Sequence, residues 1–119
     1  MINTIQKRNK LNFVRTIGEK GNGGAYHKYE VAPNVLDDSE PIVVIQFQDG
    51  AINVEGSVRG VLDVDLLEIC RHRLQCFQQG EFATRENAIA LTHIEEALLW
   101  LNKRVEDRAE RNVLRTDKK

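Results

Sequence analysis

The chain has 119 residues, of which 41% are hydrophobic and 29% charged, with a net charge of −1. That is enough for one domain with a core, and too apolar for a disordered chain. A near-zero charge excludes a typical duplex-binding protein, which is strongly basic, and no apolar run is long enough to span a membrane.

Residues 1–11 are mostly polar and read as a loose leader or an edge; Met1 to Arg8 has no apolar centre of the kind a secretory signal carries. Asn12 to Ile17 is β-prone, through Phe13, Val14 and Ile17. The glycine-rich stretch Gly18 to Gly24 follows, and then Tyr26 to Val31, so the spacing predicts a hairpin with a long loop. Pro33 to Pro41 is an acidic connection. Ile42 to Phe47 is the best strand of the sequence, β-branched and apolar, and is expected to be central and well covered. Asp49-Gly50 predicts a turn and Ala51 to Val54 a short returning strand, with a loop over Glu55 to Gly60.

The periodicity then changes from two to about 3.6. Asp63 or Asp65 can cap a helix whose apolar stripe is Leu67, Cys70, Leu74 and Phe77. Gly80 is expected to end it in the left-handed conformation. Thr84, with Asn87 three residues on, predicts the start of a second helix running to about Leu114. Its stripe is Leu91, Ile94, Leu98, Leu101 and Val105, a seam for another helix. A helix of that length outruns a small domain, so its end projects or another subunit packs along it. The expected fold is α+β in a single domain over 1–119: a small antiparallel sheet over about 12–55 and a two-helix hairpin over 63–114.

Cys70 and Cys76 lie six apart on one predicted helix and point in different directions, which fits free thiols in a reducing cytoplasm. Gly18 to Gly24 lacks the Gly-Lys-Ser/Thr ending of a phosphate loop and reads as a plain turn. His27, His72 and His93 are scattered. His72 and Cys76 are i,i+4 neighbours, but two ligands do not close a metal site. No nucleophile motif is present, so neither catalysis nor a metal or other cofactor is expected. What remains is cationic: seven Lys/Arg against four Asp/Glu from Lys103 onward, with Arg104, Arg108, Arg111 and Arg115 on the later turns of the second helix. Arg104 and Arg108 share a helical face. They either pair locally on the surface, for example with Asp107, or present two guanidinium forks to a pyrophosphate beside a base-stacking aromatic.

The run Gly80-Glu81-Phe82-Ala83-Thr84-Arg85-Glu86-Asn87-Ala88, then Leu91-Thr92, Glu95 to Leu101, Arg104, Asp107-Arg108 and Arg111 resembles the C-terminal hairpin of the phage Thoeris anti-defence family. The hairpin is also similar to that of the sponges acting against cyclic-oligonucleotide defence. Gly23 to Val31 and Ile45 to Gly50 resemble the family's β region, so the resemblance covers nearly the whole chain. It implies a non-catalytic phage or prophage-encoded sponge in the host cytoplasm. Such a protein sequesters glycocyclic ADP-ribose, assembles as a dimer or hexamer, and in some members holds cyclic dinucleotides or trinucleotides at separate sites. Carried over, Phe77 stacks the adenine, Asn87 hydrogen-bonds the ligand, and Arg104 and Arg108 take the phosphates. Arg85 resembles an arginine of the second site, with Arg59 its candidate partner by charge and loop position. The chain departs from the family pattern over Arg111 to Thr116. Two other readings stay open: a hairpin docking an acidic host protein, and a hydrolase that destroys the signal.

Overall fold

A computed structural model describes residues 1–6, 8–34 and 40–110, and the side chains of these except at 108–110. The chain is α+β and divides into two compact units, Met1–Val61 and Leu62–Lys119.

The first unit is a three-stranded antiparallel sheet in the order β1 (Asn12–Thr16), β2 (Lys28–Pro33), β3 (Val43–Gln46). The register sets Val14, Val31 and Val43 side by side on one face and Arg15, Glu30 and Val44 on the other. The expected hairpin around the glycine-rich stretch is present. Phe13 lies opposite Ala32, which is buried, and Phe47 packs edge-on against Tyr29 with ring centroids 5.6 Å apart.

Two expectations fail here. β3 is an edge strand and not a central one, with Ile42, Val43 and Val44 between 44% and 60% exposed. Ala51 to Val54 does not return as a strand; it is a turn, and only single bridges, Asp49 with Val58 and Phe47 with Val61, close the segment. The cause is local. Val54 donates its N–H to Ala51 O at 3.1 Å and Ser57 to Val54 O at 3.2 Å, so successive turns consume the groups a ladder needs. Gly60 then lies flat against the backbone of Gln46 and Phe47, where a Cβ would collide. The acidic connection falls largely on 35–39, outside the described residues.

The glycine-rich loop is fastened by Asp49. Its Oδ1 accepts from the Asn22 side-chain amide at 2.8 Å and from Asn22 N–H at 3.2 Å. His27 Nε2 stands 2.7 Å from Asn22 O and 3.4 Å from Asp49 Oδ1, so the tautomer that fits carries its proton on Nε2. The Asn22 hydrogen bonds, aided by His27, hold the Asp49 carboxyl below its ordinary 3.8.

The second unit is a helical hairpin, α1 (Asp63–Gln78) and α2 (Arg85–Glu110). Leu62 is the N-cap of α1, and Asp65 Oδ2 accepts its N–H at 2.8 Å. Thr84 caps α2 as expected, its Oγ1 accepting Asn87 N–H at 3.0 Å. Leu91, Ile94, Leu98 and Leu101 form the half-buried seam of α2, whereas Val105 is exposed. On α1 the seam is Val64, Leu67, Arg71, Leu74 and Gln78, and Cys70 is exposed. Arg71 replaces Cys70 because its Nε reaches Glu95 Oε2 on α2 at 2.9 Å, an ion pair across the seam. That bond raises the Arg71 pKa further. The expected α2 end near Leu114 lies outside the described residues.

Gly80 is not left-handed, unlike Gly18, Gly23, Gly24, Gly50 and Gly56. α1 ends instead through Gln79 in a helical conformation, with Gly80 N–H on Phe77 O at 3.2 Å. Gln78 does the rest. Its Nε2 donates to Thr84 O and its Oε1 accepts Thr84 N–H, both at 3.0 Å, so one side chain closes the six-residue connection.

Gln78→Ala removes both bonds and should lower stability by about 1–2 kcal/mol, read as a reduced urea midpoint. The Asp49 contribution has the sign of a depressed carboxylate: present above the ordinary 3.8 and lost as pH falls below it. Wild type should therefore lose more stability between about pH 5 and about pH 3 than Asp49→Asn does. Parallel urea midpoints across that window would reject the Asp49 fastening.

Candidate functional site

Phe77 is the penultimate residue of α1, half-buried, and Asn87 is in the first turn of α2, so the hairpin turn brings both to the same end. The Arg73 guanidinium lies over the Phe77 ring, 5.1 Å from its centroid. One face of the ring is thus occupied by a cation, so a base stacks there only if Arg73 moves aside, and otherwise on the other face. Sequence reasoning missed Arg73, although its i,i+4 spacing to Phe77 is the signal that finds it. Asn87 is half-buried, its backbone held by Thr84, while its side-chain amide has no partner among the described residues. It is placed and unspent.

Arg104 is exposed on α2 and makes no ion pair among the described residues. Asp107, the partner that the surface-pairing reading gives it, is held by Lys103 at 3.1 Å. Arg108 lies one turn further along α2; its side chain is outside the described residues, as are Arg111 and Arg115 altogether. The two arginines do not join Phe77 and Asn87. Arg104 is seventeen residues beyond Asn87, about 26 Å along the helix axis at 1.5 Å per residue. The Arg71–Glu95 pair fixes the antiparallel register, which sets Arg104 level with the first turn of α1. Within one copy, the aromatic and amide stand at the turn end of the hairpin and the arginines at its open end.

Arg85 opens α2, next to the Thr84 cap, and is exposed without an ion pair among the described residues. Arg59 belongs to the other unit, in the loop fixed by its neighbour Gly60, whose N–H donates to Gln48 Oε1 at 3.2 Å. Among the described residues no three His, Cys, Asp or Glu side chains converge as metal ligands, and His72 Nε2 and Cys76 Sγ, 3.9 Å apart, stand as a pair. No described helix is long and apolar enough to cross a membrane. The arrangement offers planar cations, a stacking ring and a free amide, which is chemistry for holding an anionic, base-bearing ligand.

The Acb2/Tad1 hairpin domain matches residues 39–106 of this chain. The chain is also 41% identical over 99 residues to Thoeris anti-defense 1 of Bacillus phage SBSphiJ7, a match covering 83% of this chain and 66% of that protein. It thus spans just under two thirds of that relative's length. The domain match takes in the whole of α1, the connection closed by Gln78 and α2 as far as Glu106, with Phe77, Asn87 and Arg104 inside it. By that match and that identity, the chain belongs to the Acb2/Tad1 hairpin family, the family of the Thoeris anti-defence proteins.

Proposed function

We propose that this protein is a non-catalytic anti-defence sponge that binds glycocyclic ADP-ribose and keeps it from the Thoeris effector in the host cytoplasm. The observation that carries the reading is family membership through the hairpin itself, the element that bears Phe77, Asn87, Arg104 and Arg108. The name of the relative, Thoeris anti-defense 1, gives the direction of the activity. Phe77 stacks the adenine, the unspent Asn87 amide reads the ligand, and Arg104 with Arg108 grips the pyrophosphate. Arg104 is free to do so because Lys103 takes Asp107.

The 26 Å separation bears on assembly. No single ligand of this size touches both ends of one hairpin, so each site takes Phe77 and Asn87 from one copy and Arg104 and Arg108 from another. The protein acts as a homo-oligomer, at least a dimer. Burial between copies also removes the ligand from salt screening, which would defeat arginines left open to solvent. Arg85 and Arg59 are assigned to a second site for cyclic dinucleotides or trinucleotides.

Trap and release tests this reading. The protein is mixed with glycocyclic ADP-ribose, free ligand is removed, the protein is heated, and what emerges is identified by mass spectrometry. Recovery of the intact molecule is expected. A changed product would make the protein a hydrolase, and ligand that never leaves solution would favour the hairpin that docks an acidic host protein. Replacing both Arg104 and Arg108 with alanine should weaken binding at least about a hundred-fold, two charge-assisted hydrogen-bonding groups being lost, with the helical circular dichroism unchanged. Arg85→Ala should keep glycocyclic ADP-ribose and lose the cyclic dinucleotide, measured by calorimetry on the two ligands separately.

A further inference from the structure

Two arginines of α1 are spent differently. Arg71 lies 2.9 Å from Glu95 and 3.5 Å from Glu68. Arg73, two residues on, is exposed and makes no ion pair among the described residues. Its helical neighbours three and four positions away are Ile69, Cys70, Cys76 and Phe77, so its own helix offers it no carboxylate. The guanidinium lies over the Phe77 ring instead, 5.1 Å from the centroid. The ring is half-buried and Arg73 is exposed, so the face under the guanidinium is the one turned to solvent. A ligand arriving at Phe77 meets Arg73 first.

We infer that Arg73 is a placeholder for the ligand's base. In the free protein it covers the stacking face of Phe77, and a bound adenine nucleotide displaces it from the ring onto the phosphates. This rests on the proposed function, in which Phe77 stacks the adenine. Magnitudes decide the direction of the exchange. An exposed cation–π contact is worth about two- to five-fold in an equilibrium constant. Stacking of a base on an aromatic is worth about five- to a hundred-fold. The base wins. The displaced guanidinium has no carboxylate on its own helix to turn to, so its five N–H donors are free for the anion that arrives with the base. A side chain long enough to cover the ring from one turn away also reaches the sugar and phosphate of a base stacked on that ring.

Such a placeholder sorts ligands by charge. A bare aromatic face stacks any base, because every base has a π-face. At Phe77 an uncharged base must lift a cation from the ring and gives it nothing in return, whereas a nucleotide gives it a phosphate. Arg73 thus disfavours nucleosides and favours nucleotides at the same ring.

Nuclear magnetic resonance on the purified full chain tests this, with adenosine and linear ADP-ribose as the two probes. In the free protein the Arg73 side-chain signals should lie upfield through the Phe77 ring current, and Phe77→Leu should abolish that shift. Saturating ADP-ribose should abolish it as well. Arg73→Ala, with its helical circular dichroism unchanged, should act with opposite sign on the probes: adenosine bound about two- to five-fold more tightly, ADP-ribose at least about ten-fold more weakly. A residue that only props the ring would move both affinities in the same direction, and that result overturns the placeholder. So does an upfield shift that persists in the ADP-ribose complex. Glycocyclic ADP-ribose, titrated into the same samples, separates the two readings. If it binds wild type and Arg73→Ala does not split the probes, the placeholder falls and the sponge stands. If the probes split and the cyclic molecule does not bind, the placeholder stands at an adenine-nucleotide site and the sponge reading falls. If wild type binds none of the three, both fall.

Discussion

One amide side chain sets the geometry of the hairpin. Gln78 holds both the N–H and the C=O of Thr84, so the last turn of α1 and the cap of α2 are parts of a single hydrogen-bonded unit. Thr84, fixed from one side by Gln78, fixes Asn87 from the other through its hydroxyl. Arg71 and Glu95, midway along the seam, then lock the register that the connection starts. Two helices joined at one end and pinned at the middle have little freedom to slide, because a one-turn shift would break the ion pair and misalign both seams at once. The position of every candidate side chain on the hairpin follows from these few bonds.

That rigidity explains why the candidate site is divided. A hairpin that is stiff and about 26 Å from Asn87 to Arg104 cannot fold over a small ligand. Its two ends are specialised instead. The turn end offers a ring already paired with a cation and an amide whose backbone is tied down. The open end offers arginines, one of which the Lys103–Asp107 pair leaves unspent. On the proposed function such a divided site would be completed by a second copy, and a ligand that needs both copies would stabilise their association by mass action.

The elements legible in the sequence are those whose signal is local. The α2 seam showed as a 3,4 repeat, the Thr84 cap as a hydroxyl three residues before Asn87, and the β1–β2 hairpin as two β-prone runs around glycines. The misreadings share a physical cause, since each depends on a partner distant in sequence. Arg71 belongs to the α1 seam only because Glu95 lies across from it, so the pattern favoured Cys70 instead. Gly80 offered a left-handed stop that is not used, because Gln79 and Gly80 give their N–H groups to Cys76 O and Phe77 O while the chain stays helical, and the Gln78 side chain then ties the connection to Thr84. β3 has the composition of a central strand, but its second neighbour would have been 51–54, where turns take the hydrogen bonds. At the site, residue identities could be carried over from a resemblance. Their separation into two ends could not, because it is a property of the hairpin's length and register.

Leu99 and Trp100, an apolar pair 70% and 71% exposed in the middle of α2, ask for a physical account. Leucine and tryptophan could serve as helix formers there only at a cost in solubility, and lysine or glutamate would form the helix at least as well. Full burial of such side chains would contribute about 1.5–3 kcal/mol each. That sum is comparable with the lower range of what association costs, about 4–15 kcal/mol, so Leu99 and Trp100 by themselves would hold a partner only weakly. Ion pairs around them add orientation more than affinity.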